Sequence, residues 1–401
     1  MMTSKERLLI TIENKKPDYV PCCFMIFTAL AKKCKHQFEF IERQLKLGLD
    51  VKVELPELPF RFHPEVEIKE WKEINEKENS IFLHKEYITP KGILNTVVRK
   101  TSDWPYGDSI PIFNDYLTVR SKKFLIEKEQ DLESLRFLFA EPTNEDIVNF
   151  REKSNQLKKF ASKKGLLISG GWRSGTPEKC APEKGINRDG GMMGADALLW
   201  LCGVENAIFL AMDKPEMIGE ILKIISEWNI KRMQIYLEEG IDLLIKRAWY
   251  EGIEFWSPIF YRKYIFPILK KEIEIVHQAG TKFGYIITSG GMPLLDDFLE
   301  LGIDVLIGID PKMGNWDFKK LKEKLTGKIC LWGGVNGPLT IERGAKKEVM
   351  KEVSYAILEI GREGGFILSP VDNVTNETEN TWENINTLIK VWGKTRGIYA
   401  K

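Results

Sequence analysis

From about residue 241 onward the chain repeats one pattern: a short apolar run, a polar turn, then an amphipathic helix. A strand that returns to the next strand through a helix gives a parallel sheet with helices outside, so this alternation restricts the fold more than any other feature. "IDLLIKR" (241–247) precedes a helix in which Ser257 is placed as the cap and Pro258 at the first helical position. Ile259, Phe260, Ile265, Ile268, Leu269, Ile273 and Val276 recur there at near-helical spacing, and Gly280 closes the run. "FGYIIT" (283–288), "DVLIGI" (304–309), "KICLWGG" (328–334) and "GFILSP" (365–370) each precede a further helix. Upstream, "GLLISG" (165–170) reads as a strand, and a helix from Pro215 to about Glu239 follows with Asp213 and Glu216 placed as a capping box. "YVPCCFMI" (19–26) and "GLDVKVEL" (48–55) bring the strands to eight, the number of a (β/α)8 TIM-type barrel. An open doubly wound sheet is the alternative, but no GxGxxG follows any strand to support a dinucleotide site.

Two segments break the rhythm. Residues 60–125 include "SIFLHKEYITPKGILNTVVRKTSDW", which alternates like a hairpin around Pro90, Lys91 and Gly92 and predicts an antiparallel insertion, a candidate lid. Residues 170–197 are Gly-rich and aperiodic, and a long loop after a barrel strand is where binding groups usually sit. With no repeat and no linker, residues 1–401 are expected to form a single barrel domain carrying that insertion. Lys+Arg number 59 against 58 Asp+Glu, which argues against a phosphate-holding nucleic-acid binder. Apolar runs such as "ALLWLCGV" fall short of a membrane span, and the N-terminal stretch lacks an apolar signal core, so a cytoplasmic protein is expected. The six cysteines form no CxxC; Cys22, Cys23, Cys34 and His36 cluster without a recognisable zinc spacing, and reduced, packed thiols are the plainer reading.

Barrel chemistry lies at the C-terminal ends of the strands, which converts the strands into a residue list. Arg247, Trp249, Tyr250, Glu251 and Glu254 follow the first, Ser289 the next, then Asp310, Asn336, and Asp372 with Asn373. Trp172, Arg173, Arg188 and Asp189 lie in the long loop. Arg247 has the planar fork to hold an anion, or it closes an ion pair with Glu251 or Glu254. Tyr250 with Glu251, and Asp310 with Asp372, suit proton exchange; as plain structure they are loop, turn and cap residues. Trp249, Trp256 and Trp332 either wall a flat pocket or pack the core. Glycines 290, 291, 333, 334 and 337 serve tight turns or close ligand approach. His277 falls in a helix's last turn.

These residues resemble the uroporphyrinogen decarboxylase superfamily. "KERLLITIENKKPDYVPC" is similar to its opening helix and "PDRVP" strand entry, "SPIFYRKYIFPILKKEIEIVHQAG" to its "SPE-x-Y-x-x-F-x-x-P" segment, and "DFLELGIDVLIGIDP", "WGGVNGP" and "TWENINTLIK" to its last barrel turns. The resemblance implies a (β/α) barrel and one of two chemistries, tetrapyrrole decarboxylation or corrinoid-linked methyl transfer. The decarboxylases' Arg-rich "RQAGR" stretch reads "CCFMIFTALAKK" here, without arginine. The zinc methyltransferases' His-x-Cys corresponds to Ile287 and Ser289, and their later Cys falls near Asp372. The expectation is a methyltransferase that moves a methyl group from a small, flat substrate to a corrinoid protein, with no metal and no tightly bound cofactor of its own. A carboxylated-tetrapyrrole decarboxylase and a non-catalytic corrinoid or tetrapyrrole binder are the alternatives. Tyr250, Glu251, Asp310 and Asp372 are the candidate catalytic residues. Arg173, Arg247, Trp249, Ser289, Trp332, Asn336 and Asn373 are the candidate substrate contacts.

Overall fold

A computed structural model describes residues 2–76, 78–173, 176–177 and 191–399. The strands in chain order begin with β1 (Lys52–Glu54), followed by β2 (Glu67–Asn75), β3 (Ser80–Thr89), β4 (Gly92–Lys100) and β5 (Ser121–Lys123). Then come β6 (Leu167–Gly170), β7 (Leu243–Arg247), β8 (Lys282–Ile286), β9 (Val305–Ile309), β10 (Cys330–Asn336) and β11 (Phe366–Val371). β1 and β6 to β11 pair in chain order as one curled parallel sheet of seven strands. β2 to β5 form a separate antiparallel sheet, with the two-residue turn Pro90-Lys91 between the paired Thr89 and Gly92.

The closed ring of eight strands is corrected in one place. Residues 21–26 lie between β11 and β1 but form no strand: they make single parallel bridges, Cys22 with Leu368 and Ile26 with Asn373. Leu368 N–H donates to Pro21 O at 2.9 Å, and Asp50 N–H to Cys22 O at 2.9 Å, so both sheet edges touch the segment. A full ladder fails because its donors go elsewhere. Pro21 has no N–H; Cys22 N–H donates to the Asp50 carboxylate and Met25 N–H to Ser369 Oγ.

The pleat sorts the strand residues onto two faces. Leu243, Ile245, Ile286, Val305, Ile307, Cys330, Trp332 and Ile367 form an inner cluster, floored by Leu8 and Ile12 of the helix Ser4–Ile12. Their neighbours Leu244, Tyr285, Leu306 and Leu368 belong to the larger core shared with the outer helices. Ser257 caps its helix through Phe260 N–H, as expected. The helix Pro215–Glu238 departs from expectation: its cap is Lys214, with no side-chain bond, so Asp213 and Glu216 form no capping box. Among the described residues no single helix is long and apolar enough to cross a membrane.

Candidate active site

Strand β7 ends in two adjacent cations that the pleat sends to opposite faces. Arg247 turns to the rim of the curled sheet. Its Nη2 lies 2.8 Å from Asp115 Oδ1 and its Nε 3.4 Å from Asp196 Oδ2, while the guanidinium stacks over Trp249 at 4.4 Å and Trp200 at 4.6 Å. The ion pair expected with Glu251 or Glu254 is therefore replaced by one with Asp115 and Asp196. Asp115 begins the short helix Asp115–Arg120, which leads into the antiparallel sheet. Tyr250 joins the same group: its hydroxyl donates to Asp115 Oδ1 at 2.6 Å and its N–H to Asp196 Oδ1 at 2.7 Å. Burial pushes the Asp196 carboxyl up, opposed by Arg247.

Asp310 and Asp372 complete the rim. Asp310 Oδ1 accepts the N–H groups of Lys312 and Met313 at 2.8 and 3.1 Å, and its Oδ2 accepts from Asn336 Nδ2 at 2.7 Å. Asn336 Oδ1 in turn accepts Leu339 N–H, capping the following helical turn. Asp372 holds a left-handed backbone, φ 64°, which costs energy for a residue with a Cβ and is found where function or packing demands it. Burial raises both carboxyls, and Asp372 is raised further by the charges of Asp310 and Asp115 and lowered by Arg247. Asp372 thus lies within reach of the charges of Asp310, Asp115 and Arg247. Trp249 and Trp172 meet edge to face at 5.3 Å, both partly exposed and packed on the inner cluster. Trp332 lies lower, fully inside, with its indole N–H bonded to Cys23 O at 2.8 Å. Across the rim Arg173 Nη2 donates to Gln37 Oε1 at 2.9 Å, and Gln37 Nε2 to Glu54 O.

Other expected residues take different places. Glu251 is behind the sheet, where Oε1 accepts Ala195 N–H at 2.8 Å and Oε2 the Tyr285 hydroxyl. Burial pushes it up to about 6, with Lys246 pulling the other way. Lys246, the outward cation of β7, bonds Glu272 Oε2 at 2.6 Å, with both side chains nearly inaccessible. Burial pulls Lys246 down, but Glu272 and Glu251 overcome this and hold its ammonium above the ordinary value. Ser289 Oγ bonds Glu254 Oε2. Asn373 Oδ1 accepts Thr28 N–H, tying down the 21–26 segment's continuation. Trp256 is buried, with its indole N–H on Tyr250 O. His277 pairs with Asp304 at a helix end. Arg188, Asp189 and most of the 170–197 loop lie outside the described residues. Ile287 is wholly buried and offers no metal donor. Cys22, Cys23 and Cys34 are buried free thiols, and His36 Nδ1 accepts Glu39 N–H as a helix cap. Among the described residues no three His, Cys, Asp or Glu side chains are grouped to hold a metal ion.

Asp115, Asp196, Lys246 and Glu272 were not singled out from the sequence. Two carried a usable signal: Asp196 is a lone charge in "ADALLWLC", and Lys246 falls in "IDLLIKR" in alternation with Leu244, on the face opposite Arg247. A charge in an apolar element is buried and must find a partner. Asp115 carried none, since its partners are more than a hundred residues away.

The comparisons with known proteins agree with this architecture. Residues 197–394 match the model of the uroporphyrinogen decarboxylase (URO-D) family. A methyltransferase from Methanosarcina mazei shares the fold over 98% of this chain and 99% of its own, with a TM-score of 0.60 at 16% identity. A sugar phosphate isomerase/epimerase from Parabacteroides distasonis aligns over 59% of this chain and 74% of its own, with a TM-score of 0.31 at 15% identity, too distant to carry an argument. No curated protein matches the sequence.

Proposed function

We propose that this chain is a methyltransferase that takes a methyl group from a small neutral or cationic donor and passes it to a corrinoid protein. The observation that supports this best is the charge at the rim. Arg247 is already engaged by Asp115 and Asp196, while the Asp372 carboxyl feels the negative charges of Asp310 and Asp115 as well as the positive charge of Arg247. A tetrapyrrole bearing many carboxylates needs several free cations, and a carboxylate-rich rim repels it. A corrinoid held by the partner protein would supply the methyl acceptor. This chain's part is to bind and orient the donor against Trp249 and Trp172 and to supply a proton. As the bond from the methyl carbon to the donor's oxygen or nitrogen breaks, the electron pair stays on that heteroatom. With a neutral donor, a raised carboxyl such as Asp372 delivers the proton that neutralises the departing heteroatom, a contribution of roughly 10²–10⁴ in rate, whereas a cationic donor departs as a neutral amine and needs no proton. Arg247 and Tyr250 hold Asp115 in register with the rim.

The reading takes no resident zinc and no tightly bound cofactor, since Ile287 and Ser289 stand where a thiol-activating site would have its ligands. The test is a screen of methylated ethers, amines and aromatic methoxy compounds with cob(I)alamin, followed by absorbance, with zinc measured in the same preparation. Methylation of the corrinoid by one donor class is expected. Carbon dioxide release from a carboxylated tetrapyrrole would replace this reading with decarboxylation, and about one zinc per chain would overturn its metal-free part.

A further inference from the structure

The antiparallel sheet has two free edges of different character. β5 is three residues long, the kind of edge that proteins leave safely open. β2 is nine residues long, carries no proline, and pairs with β3 through nine consecutive positions without a shift. Its other edge pairs with nothing among the described residues, and Glu67 to Ile74 are all exposed, Trp71 and Ile74 by 44% and 72%. Long exposed edges are usually guarded by like charges that would face each other on pairing.

The β2 sequence does the reverse. It reads Glu67-Ile-Lys69-Glu70-Trp71-Lys72-Glu73-Ile74-Asn75. An antiparallel copy centred on Trp71 sets Lys69 opposite Glu73, Glu70 opposite Lys72, Ile68 opposite Ile74, and Trp71 opposite itself. Every charged pair flanking the centre is then of opposite sign. Shifting the centre by one residue either way juxtaposes like charges: Glu70 meets Glu70, or Lys72 meets Lys72. A shift by half a position puts Lys69 against Lys72, or Glu70 against Glu73. Directly opposed side chains share a face, where opposite charges stabilise and like charges destabilise. Of the present partners of the outer-face charges, Glu67 for Lys69 is an exposed surface contact of small worth, and His84 for Glu73 is half-buried and charged only when protonated. Trp71 lies flat on His84 at 4.9 Å, which fixes its ring on the outer face beside the edge.

We propose that β2 is a self-recognition edge: two copies of this chain pair antiparallel about Trp71, joining their insertions into one eight-stranded sheet across a two-fold axis. The inference does not depend on the catalytic reading. One strand pair is a small interface, at the transient end of the size range, so the dimer forms at high micromolar concentration.

Sedimentation of the full chain should show the mass rising from 46.3 kDa toward twice that value as concentration increases. Lys69→Glu and Glu73→Lys each place two like-charge pairs across the axis, and each should weaken self-association by roughly tenfold. Mixing the two variants restores opposite signs at both pairs and should restore the dimer. Trp71→Cys should form a covalent dimer on oxidation, because opposed Cα atoms in an antiparallel pair lie within disulfide reach. Val119→Cys, at a site 79% exposed, should not. A wild-type chain that stays monomeric up to ~1 mM, variants that associate like wild type, or no gain on mixing would each overturn the proposal. The cysteine test stands even if a charge variant folds poorly, and Trp71→Cys failing to cross-link more than Val119→Cys would reject it.

Discussion

Lys246 and Arg247 are neighbours on one strand, yet they serve different economies of charge. On the helix side Lys246 is sealed with Glu272 and Glu251 among Tyr285, Asn229 and Ser226, all inaccessible or nearly so. On the rim side Arg247 keeps contact with water through Asp115, whose side chain is 53% exposed. The sealed group has no room to change partners, since even Gly194 beside it lacks space for a Cβ, which would fall 1.6 Å from Glu251 Oε1. The open group gathers residues from three separate segments, one of them in the insertion. A buried pair holds structure because breaking it strands a charge, whereas on the rim only the Asp115 carboxylate is open to solvent, and Arg247 with Asp196 stays covered.

The largest effect should come from breaking the sealed side. Lys246→Met leaves Glu272 and Glu251 buried without a cation and should cost about 3–5 kcal/mol of stability in denaturant unfolding. If the loss is below about 1 kcal/mol, the two sides of β7 do not differ as described. The rim should respond in the opposite sense. Asp372→Asn should reduce turnover by roughly a hundredfold while its unfolding midpoint changes little. A large loss of stability with activity per folded molecule intact would move Asp372 to the structural side.

The smallest effect is a pH slope. The folded protein holds the Glu251 proton more tightly than the unfolded chain does, because burial raises this carboxyl from 4.5 to about 6. Its favourable contribution is therefore complete below about pH 4.5 and lost as pH rises through about 6. Glu251→Gln should remove that part of the slope, seen as the difference between wild-type and variant melting temperatures across the window. A constant difference would mean that Glu251 does not titrate there.

The strands and the insertion were readable because each rests on local periodicity: all eight expected strand segments either pair in the sheet or, at 21–26, bridge its edges. What periodicity could not give was how a rim residue spends its charge. Glu251 follows β7 as a catalytic residue would, yet the turn after Arg247 carries it behind the sheet to Tyr285 and Ala195. Arg247 was assigned neighbours close in sequence, and its true partners come from the insertion and from the helix Ala195–Cys202. Asp310 and Asn336 were placed on separate strand ends, and the register of β9 with β10 brings them to 2.7 Å. Such pairings depend on three-dimensional closure, about which strand patterning carries no information.

The way residues 21–26 fill the eighth position bears on the order of events during synthesis. Met25 N–H meets Ser369 Oγ across 344 residues of chain, and Trp392 Nε1 meets Val20 O across 372. Nothing nearer in sequence can substitute for these contacts, so on a ribosome the early segment waits while the central strands assemble. Its apolar run, Val20 to Ile26, is then without its final neighbours for most of translation. Transiently uncovered segments of this kind are where nascent chains associate wrongly or recruit chaperones. Moving the termini, so that 21–26 follows the last helix through a short linker, would turn these long-range contacts into local ones. Low contact order speeds folding, and the permuted chain should refold faster than the natural order while keeping the same rim.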